Sequence, residues 1–177
     1  MKSTLVCWQL GAVTCIAVFG TLAHFLFVWT GVTALAPFCA VNESTWEHMK
    51  IFFFPAFAFT LIQSFFLAKL YPNFWYVKLL GTLIGTVLIP TLFYTISGAF
   101  GSSPDWLNIA FFFISAFVAC YIEYLLFQTD FLAFTSPVYA IIVFFLLSGA
   151  FFVFTFFPPK IPLFQDPITG FYGIIKR

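Results

Sequence analysis

The sequence predicts an all-α fold: an integral membrane helix bundle of about five transmembrane helices, with a non-helical C-terminal tail packed on one face. Three observations carry that expectation. Of 177 residues, 63% are hydrophobic, 24% aromatic and only 7% charged. A soluble domain needs roughly a quarter of its residues charged to cover its surface. The apolar residues fall into runs of about 20, the length that crosses a hydrocarbon layer as a helix. The breaks between runs are short clusters of Pro, Gly, Asn, Asp and Ser, which favour turns.

In order, the first span runs from Leu5 to Trp29 and the second from about His48 to Leu70, beginning near Thr45 or Lys50. Tyr71-Pro72-Asn73 is a turn, and the third span covers Trp75 to Phe100, with Gly81-x-x-x-Gly85 inside it and Pro90 as an expected kink. Gly101-Ser102-Ser103-Pro104-Asp105 is the next turn, and Trp106 to Phe127 the fourth span. Gln128-Thr129-Asp130 breaks the chain again. Phe131 to Pro137 reads either as an interfacial piece or as the start of the fifth span, which ends at Phe157 because Pro158-Pro159 removes amide donors. The whole chain, 1–177, reads as one polytopic domain.

An odd number of spans puts the termini on opposite faces. With the N-terminus cytoplasmic, Lys2, Lys69 and Lys78 lie inside and Lys50, Lys160, Lys176 and Arg177 outside. The lysines flanking the second loop favour that orientation. The first segment is too long for a signal peptide and lacks a small-x-small cleavage site, so it is expected to stay as a span. The expected location is the cell membrane, multi-pass. With a net charge of +1, nothing suggests nucleic-acid binding, and no basic cluster is there to grip anionic lipid head groups. No internal repeat of the transporter kind is present. Cys7, Cys15, Cys39 and Cys120 form no pair pattern, so no disulfide framework is expected.

Small residues form stripes along three spans: Ala17, Gly20 and Thr21 with His24, then Gly81 and Gly85, then Ala116 and Cys120 with Glu123. Such stripes let helix backbones approach closely, and ordinary interhelical packing is the expectation for all three. His24 and Glu123 ride on them. A charge at the bilayer centre costs at least ~2.5–3.5 kcal/mol, so both should face the bundle interior. Glu123 is expected either to snorkel to the interface or to sit protonated, in the leaflet opposite His24.

The main polar feature is Asn42-Glu43-Ser44-Thr45-Trp46-Glu47-His48-Met49-Lys50, pinned between two apolar segments. One reading is a capping box, with the Ser44 hydroxyl accepting from the Glu47 amide and the Glu47 carboxylate reaching back to the Ser44 amide. A cap requires neither His48, nor a second carboxylate, nor Asn42. The functional reading therefore lets Glu43 or Glu47 converge with His48 and with His24 below the same membrane face. Two imidazoles and a carboxylate make a zinc-type donor set, read as His24, Glu47 and His48, although no cofactor is required and the spacing matches no local zinc signature. The tail from Pro158, rich in proline and turn residues yet apolar, should fold over this face as a lid, adding Asp166 and Tyr172. The expected ligand-binding set is thus Asn42, Glu43, Trp46, Glu47 and His48 with His24, Asp166 and Tyr172.

The block Asn42 to Lys50, the Tyr71-Pro-Asn-Phe-Trp75 loop and the tail Pro158-Pro-Lys-Ile-Pro-Leu-Phe-Gln-Asp-Pro-Ile-Thr-Gly-Phe-Tyr-Gly-Ile174 together resemble a family of small bacterial polytopic membrane proteins catalogued as a domain of unknown function. The resemblance covers nearly the whole chain. It implies architecture and location, not a reaction. In size and aromatic content the chain is also similar to the translocator protein family, whose Trp/Pro-rich motifs are not found here.

Three functions remain open. The first is a protein that binds or transports a small amphipathic or lipid-like ligand at a polar site on one membrane face. The second is a metal-assisted intramembrane enzyme using Glu47, His48 and His24, which predicts stoichiometric metal. The third is an interaction subunit without chemistry of its own, in a homo-oligomer or with a membrane partner, marked by the G-x-x-x-G. Serine catalysis lacks a G-x-S-x-G context.

Overall fold

The structure is a computed structural model and describes residues 2–174; Lys176 and Arg177 of the charge tally lie outside the described residues. Five helices follow one another: α1 (Lys2–Thr30), α2 (Thr45–Leu67), α3 (Phe74–Phe100), α4 (Asp105–Leu126) and α5 (Pro137–Phe156). All five are long and apolar enough to cross a membrane. Single 3₁₀ turns lie at Thr33–Leu35 and Pro162–Phe164, and the described residues contain no strand, only one isolated antiparallel bridge between Gln165 and Tyr172.

The helix ends follow local chemistry. Gly101 ends α3 in the left-handed conformation, φ 81°, which a residue with a Cβ rarely adopts. Pro137 occupies the first turn of α5, where its missing amide hydrogen costs nothing. The preceding stretch is a series of turns through Leu132, which has φ 53°, so the segment after Asp130 does not extend the fifth helix.

Helices α1 to α4 form a ring. Each packs on the next, α1 closes against α4, and α5 leans on α2 and α3 from outside. The small-residue stripes explain the closeness of the ring. A Cβ at Gly81 would overlap the Glu123 side chain, and one at Gly85 would overlap the Phe52 ring. A Cβ at Gly20 would run into the Phe112 ring and lie 3.0 Å from the Ile51 carbonyl oxygen. The G-x-x-x-G of α3 therefore faces α2 and α4 of its own chain.

Aromatic residues split between two duties. Inside, Phe53, Phe57, Phe144 and Phe151 lock α5 to α2, with Phe57 and Phe144 stacked at 4.6 Å and 8°. Outside, Phe65, Phe117, Phe145 and Phe152 stay exposed on a surface suited to acyl chains.

Two ion pairs are sealed in the bundle. Lys50 Nζ, fully buried, contacts Glu47 Oε2 at 2.5 Å and donates to the Ala36 carbonyl at 2.8 Å and Thr155 Oγ1 at 2.9 Å. At the other end of the bundle Lys78 donates to Glu123 at 2.5 Å, both side chains being 3% exposed. Glu123 thus neither snorkels nor stands alone. The correction is Lys78, which counts in the sequence as a loop-flanking charge but turns inward from α3, one turn past its start, to meet the carboxylate.

Candidate functional site

At the end of the ring formed by the α1–α2 loop, the α3–α4 turn and the tail, a cavity of about 480 Å³ opens between α1, α3 and α4. Its walls are mostly apolar: Phe25 from α1, Ile89 and Phe93 from α3, Ile109 and Phe112 from α4. Gly20 brings the α1 backbone against Phe112, which forms part of the floor with Ile51. Pro167 and Ile168 of the tail border the cavity from above.

The α1–α2 loop folds back on α1, where the Ala40 amide donates to the Ala23 carbonyl at 3.1 Å. Asn42 then sets a turn, its Oδ1 accepting from the Ser44 amide at 2.8 Å and its Nδ2 donating to the Gly173 carbonyl at 2.9 Å. Between those anchors Glu43 projects into the cavity with 43% of its side chain exposed.

His48 lies one turn into α2. Its Nδ1 is 2.9 Å from the Ser44 carbonyl oxygen, an acceptor only, so Nδ1 carries the hydrogen and donates. Nε2 is left facing the cavity, 3.7 Å from Glu43 Oε2. His24 Nε2 lies 3.7 Å from Glu43 Oε1, and the two imidazole centroids are 5.3 Å apart. His24 Nδ1 is buried with no protein partner. One potential donor atom from each of His24, Glu43 and His48 falls within 4.8 Å of the others. Such a set can grip a cation or hydrogen-bond a polar head group.

The remaining expected site residues serve other ends. Glu47 is 2% exposed and turned away from the imidazoles: Oε2 accepts from the Val41 amide at 3.0 Å and meets Lys50. Ser44 is the N-cap of α2, but its side chain makes no cap bond. The capping box does not form because Asn42 holds the Ser44 amide and Lys50 holds Glu47. Trp46 packs against Phe151 at 4.5 Å and Phe164 at 4.6 Å, seating α5 and the tail. Asp166 is 3% exposed and closes its own turn, with Oδ1 accepting from the Ile168 amide and Oδ2 from the Thr169 hydroxyl. Tyr172 packs on the Trp46 cluster and bridges Gln165.

Asp105 and Asn108, from the first turn of α4, also line the cavity. The sequence reading assigns Asp105 to a turn and leaves Asn108 inside a span. The signal that finds them is parity: in an up-and-down bundle, the turn before α4 lies at the same end as residues 42–48. Cys39, in the same loop as Glu43, is buried, and burial pushes its thiol pKa up, with Lys50 working against the shift.

No curated protein and no solved structure matches this chain. A family model does, over residues 1–174 of the five-helix bundle and its tail. The chain therefore belongs to the family of unknown function DUF6512.

Proposed function

We propose that the protein is a multi-pass membrane protein that binds a small amphipathic molecule in the cavity between α1, α3 and α4. One observation carries this reading: an apolar cavity of about 480 Å³ has His24, Glu43 and His48 gathered together on its lining. That volume suits a drug-sized or short-chain lipid-like molecule, since small-molecule sites commonly span ~300–1,000 Å³ and combine apolar walls with a few polar groups. The aromatic wall would take the chain or ring system and the polar cluster the head. On the lysine distribution, with Lys2 and Lys69 at the far end, the cavity faces outward.

A metal-assisted intramembrane enzyme is the second reading, favoured by two imidazoles and a carboxylate converging on the same cavity. The reading as an interaction subunit loses its main motif as a partner face, because Gly81 and Gly85 are covered by α2 and α4.

The test uses a single-chain amphiphile carrying a diazirine, photolysed with the protein in liposomes and mapped by peptide mass spectrometry. Labelling should concentrate on the segments holding Phe93, Ile109 and Ile168, saturate, and be competed by unlabelled amphiphile. Thr21→Trp, which fills the cavity from α1, should remove it. Unsaturable labelling of the lipid-facing Phe117 and Phe145 alone would refute the reading.

A further inference from the structure

We propose that His24, Glu43 and His48 form a binding site for one divalent transition-metal ion of the zinc class, with a coordination position open to the cavity. The inference deepens the ligand-binding reading, because that position is where a polar head would attach.

The donor chemistry comes first. Two imidazoles and one carboxylate suit zinc and its neighbours, and three protein ligands with a fourth position left open are the pattern of reactive rather than structural zinc sites. The spacing agrees. Bonds of ~2.0–2.2 Å at tetrahedral angles put donor atoms about 3.3–3.6 Å apart. Each Glu43 oxygen already lies 3.7 Å from its imidazole nitrogen, and the three donors fall within 4.8 Å of one another. Closing the site asks for a rotation of Glu43, whose side chain is 43% exposed, and for the two imidazoles, whose donors lie within 4.8 Å, to draw together on the ion.

The same separations argue against a self-sufficient hydrogen-bonded cluster. At 3.7 Å the groups face each other beyond hydrogen-bond range. Among the described residues, Glu43 accepts no hydrogen bond from any protein donor. No Lys or Arg among the described residues lines the cavity, whose lining includes the acidic residues Glu43 and Asp105. Lys50, the nearest cation in sequence, is fully committed to Glu47, Ala36 and Thr155. A bound cation answers both the missing bonds and the missing charge.

His48 has the outer-shell support that ligand histidines use. Its Nδ1–H donates to the Ser44 carbonyl, which fixes the ring and turns Nε2 toward the site. Ser44 is itself held through the Asn42 turn that aims Glu43. One short segment thus positions two of the three ligands, and the loop's return to Ala23 brings them to the third.

The experiment is metal analysis by inductively coupled plasma mass spectrometry on protein carrying a histidine-free tag. Samples are equilibrated with zinc and dialysed; wild type, Glu43→Gln and His48→Ala are compared, each checked for folding by size-exclusion chromatography. Wild type should retain about one zinc per chain, and Glu43→Gln and His48→Ala should lose affinity roughly tenfold or more. Cobalt substitution should give the visible absorption of a four-coordinate nitrogen and oxygen site. Folded wild type without stoichiometric zinc, or Glu43→Gln and His48→Ala that retain it unchanged, would overturn the proposal. Amphiphile photolabelling of the same samples separates the two claims. Labelling without metal sinks the metal site and leaves the cavity reading standing, and metal without labelling does the reverse.

Discussion

Replacing Lys50 with Met should be the most damaging single change in the neighbourhood of the site, although Lys50 does not line the cavity. The ammonium is fully buried and spends its three hydrogens on Glu47, the Ala36 carbonyl and the Thr155 hydroxyl. Methionine fills nearly the same volume, so the packing of α2 changes little. What remains is the Glu47 carboxylate, 2% exposed, with the Val41 amide as its one remaining donor among the described residues. Breaking a buried pair on one side costs about 3–5 kcal/mol, because the other charge is left without compensation. For a chain of this length each kcal/mol moves the midpoint by roughly 2–4 °C, giving a fall of about 6–20 °C. The assay is thermal unfolding in detergent followed by tryptophan fluorescence, with Glu47→Gln/Lys50→Met beside the single variant. Glutamine can still accept from the Val41 amide and carries no charge, so the double variant should recover more than half of the loss. A Lys50→Met protein melting within about 2 °C of wild type would refute the assignment of Glu47 as a structural anion.

Asn42→Ala removes the bond to the Gly173 carbonyl and the turn at Ser44, and should cost about 1 kcal/mol while making the tail cleavable by added protease at concentrations that leave wild type whole. Gly81→Val places a branched side chain where the Glu123 side chain lies; a loss of about 1–3 kcal/mol or more is expected, read as a lower midpoint and lower yield of monodisperse protein. Cys39 should react with maleimide only slowly at neutral pH in the folded protein, the rate rising at higher pH than for a free thiol, because burial disfavours the thiolate. Unfolding in detergent with denaturant should abolish that delay.

The helices were legible because long apolar runs simplify the code. An unsatisfied backbone cannot sit in hydrocarbon, so each long apolar run has one solution, and the turn residues between runs mark its ends. Asn73 and Pro137 punctuate the chain in this way without knowledge of what packs on them. The polar block was legible as unusual but not in its internal wiring. Which glutamate faces the imidazoles depends on rotamers: Glu47 sits one turn before Lys50 on α2 and is captured by it, whereas Glu43 precedes the helix and is steered by Asn42. Asp166 and Tyr172 looked like site residues because their tail crosses the right face, yet a turn and a packing cluster absorb them. Asp105 and Asn108 escaped notice because their neighbourhood appears only when α4 is folded against α1. Lys78 and Glu123 illustrate the same limit, since a partner 45 residues away leaves no periodic trace.

The two sealed ion pairs differ in how far along the chain their halves lie, and for a chain inserted into a membrane this would set an order for biogenesis. Glu47 and Lys50 are three residues apart on one helix, so α2 can enter the bilayer as a self-neutralised segment as soon as it has been made. Lys78 has no such neighbour, and its counter-charge is on α4. Until α4 is synthesised, α3 must keep that ammonium at the water boundary, near the helix end where it starts. Insertion machinery that holds α3 and α4 as a hairpin would suit this chain, and a ribosome stalled between them should leave α3 easier to extract than α2.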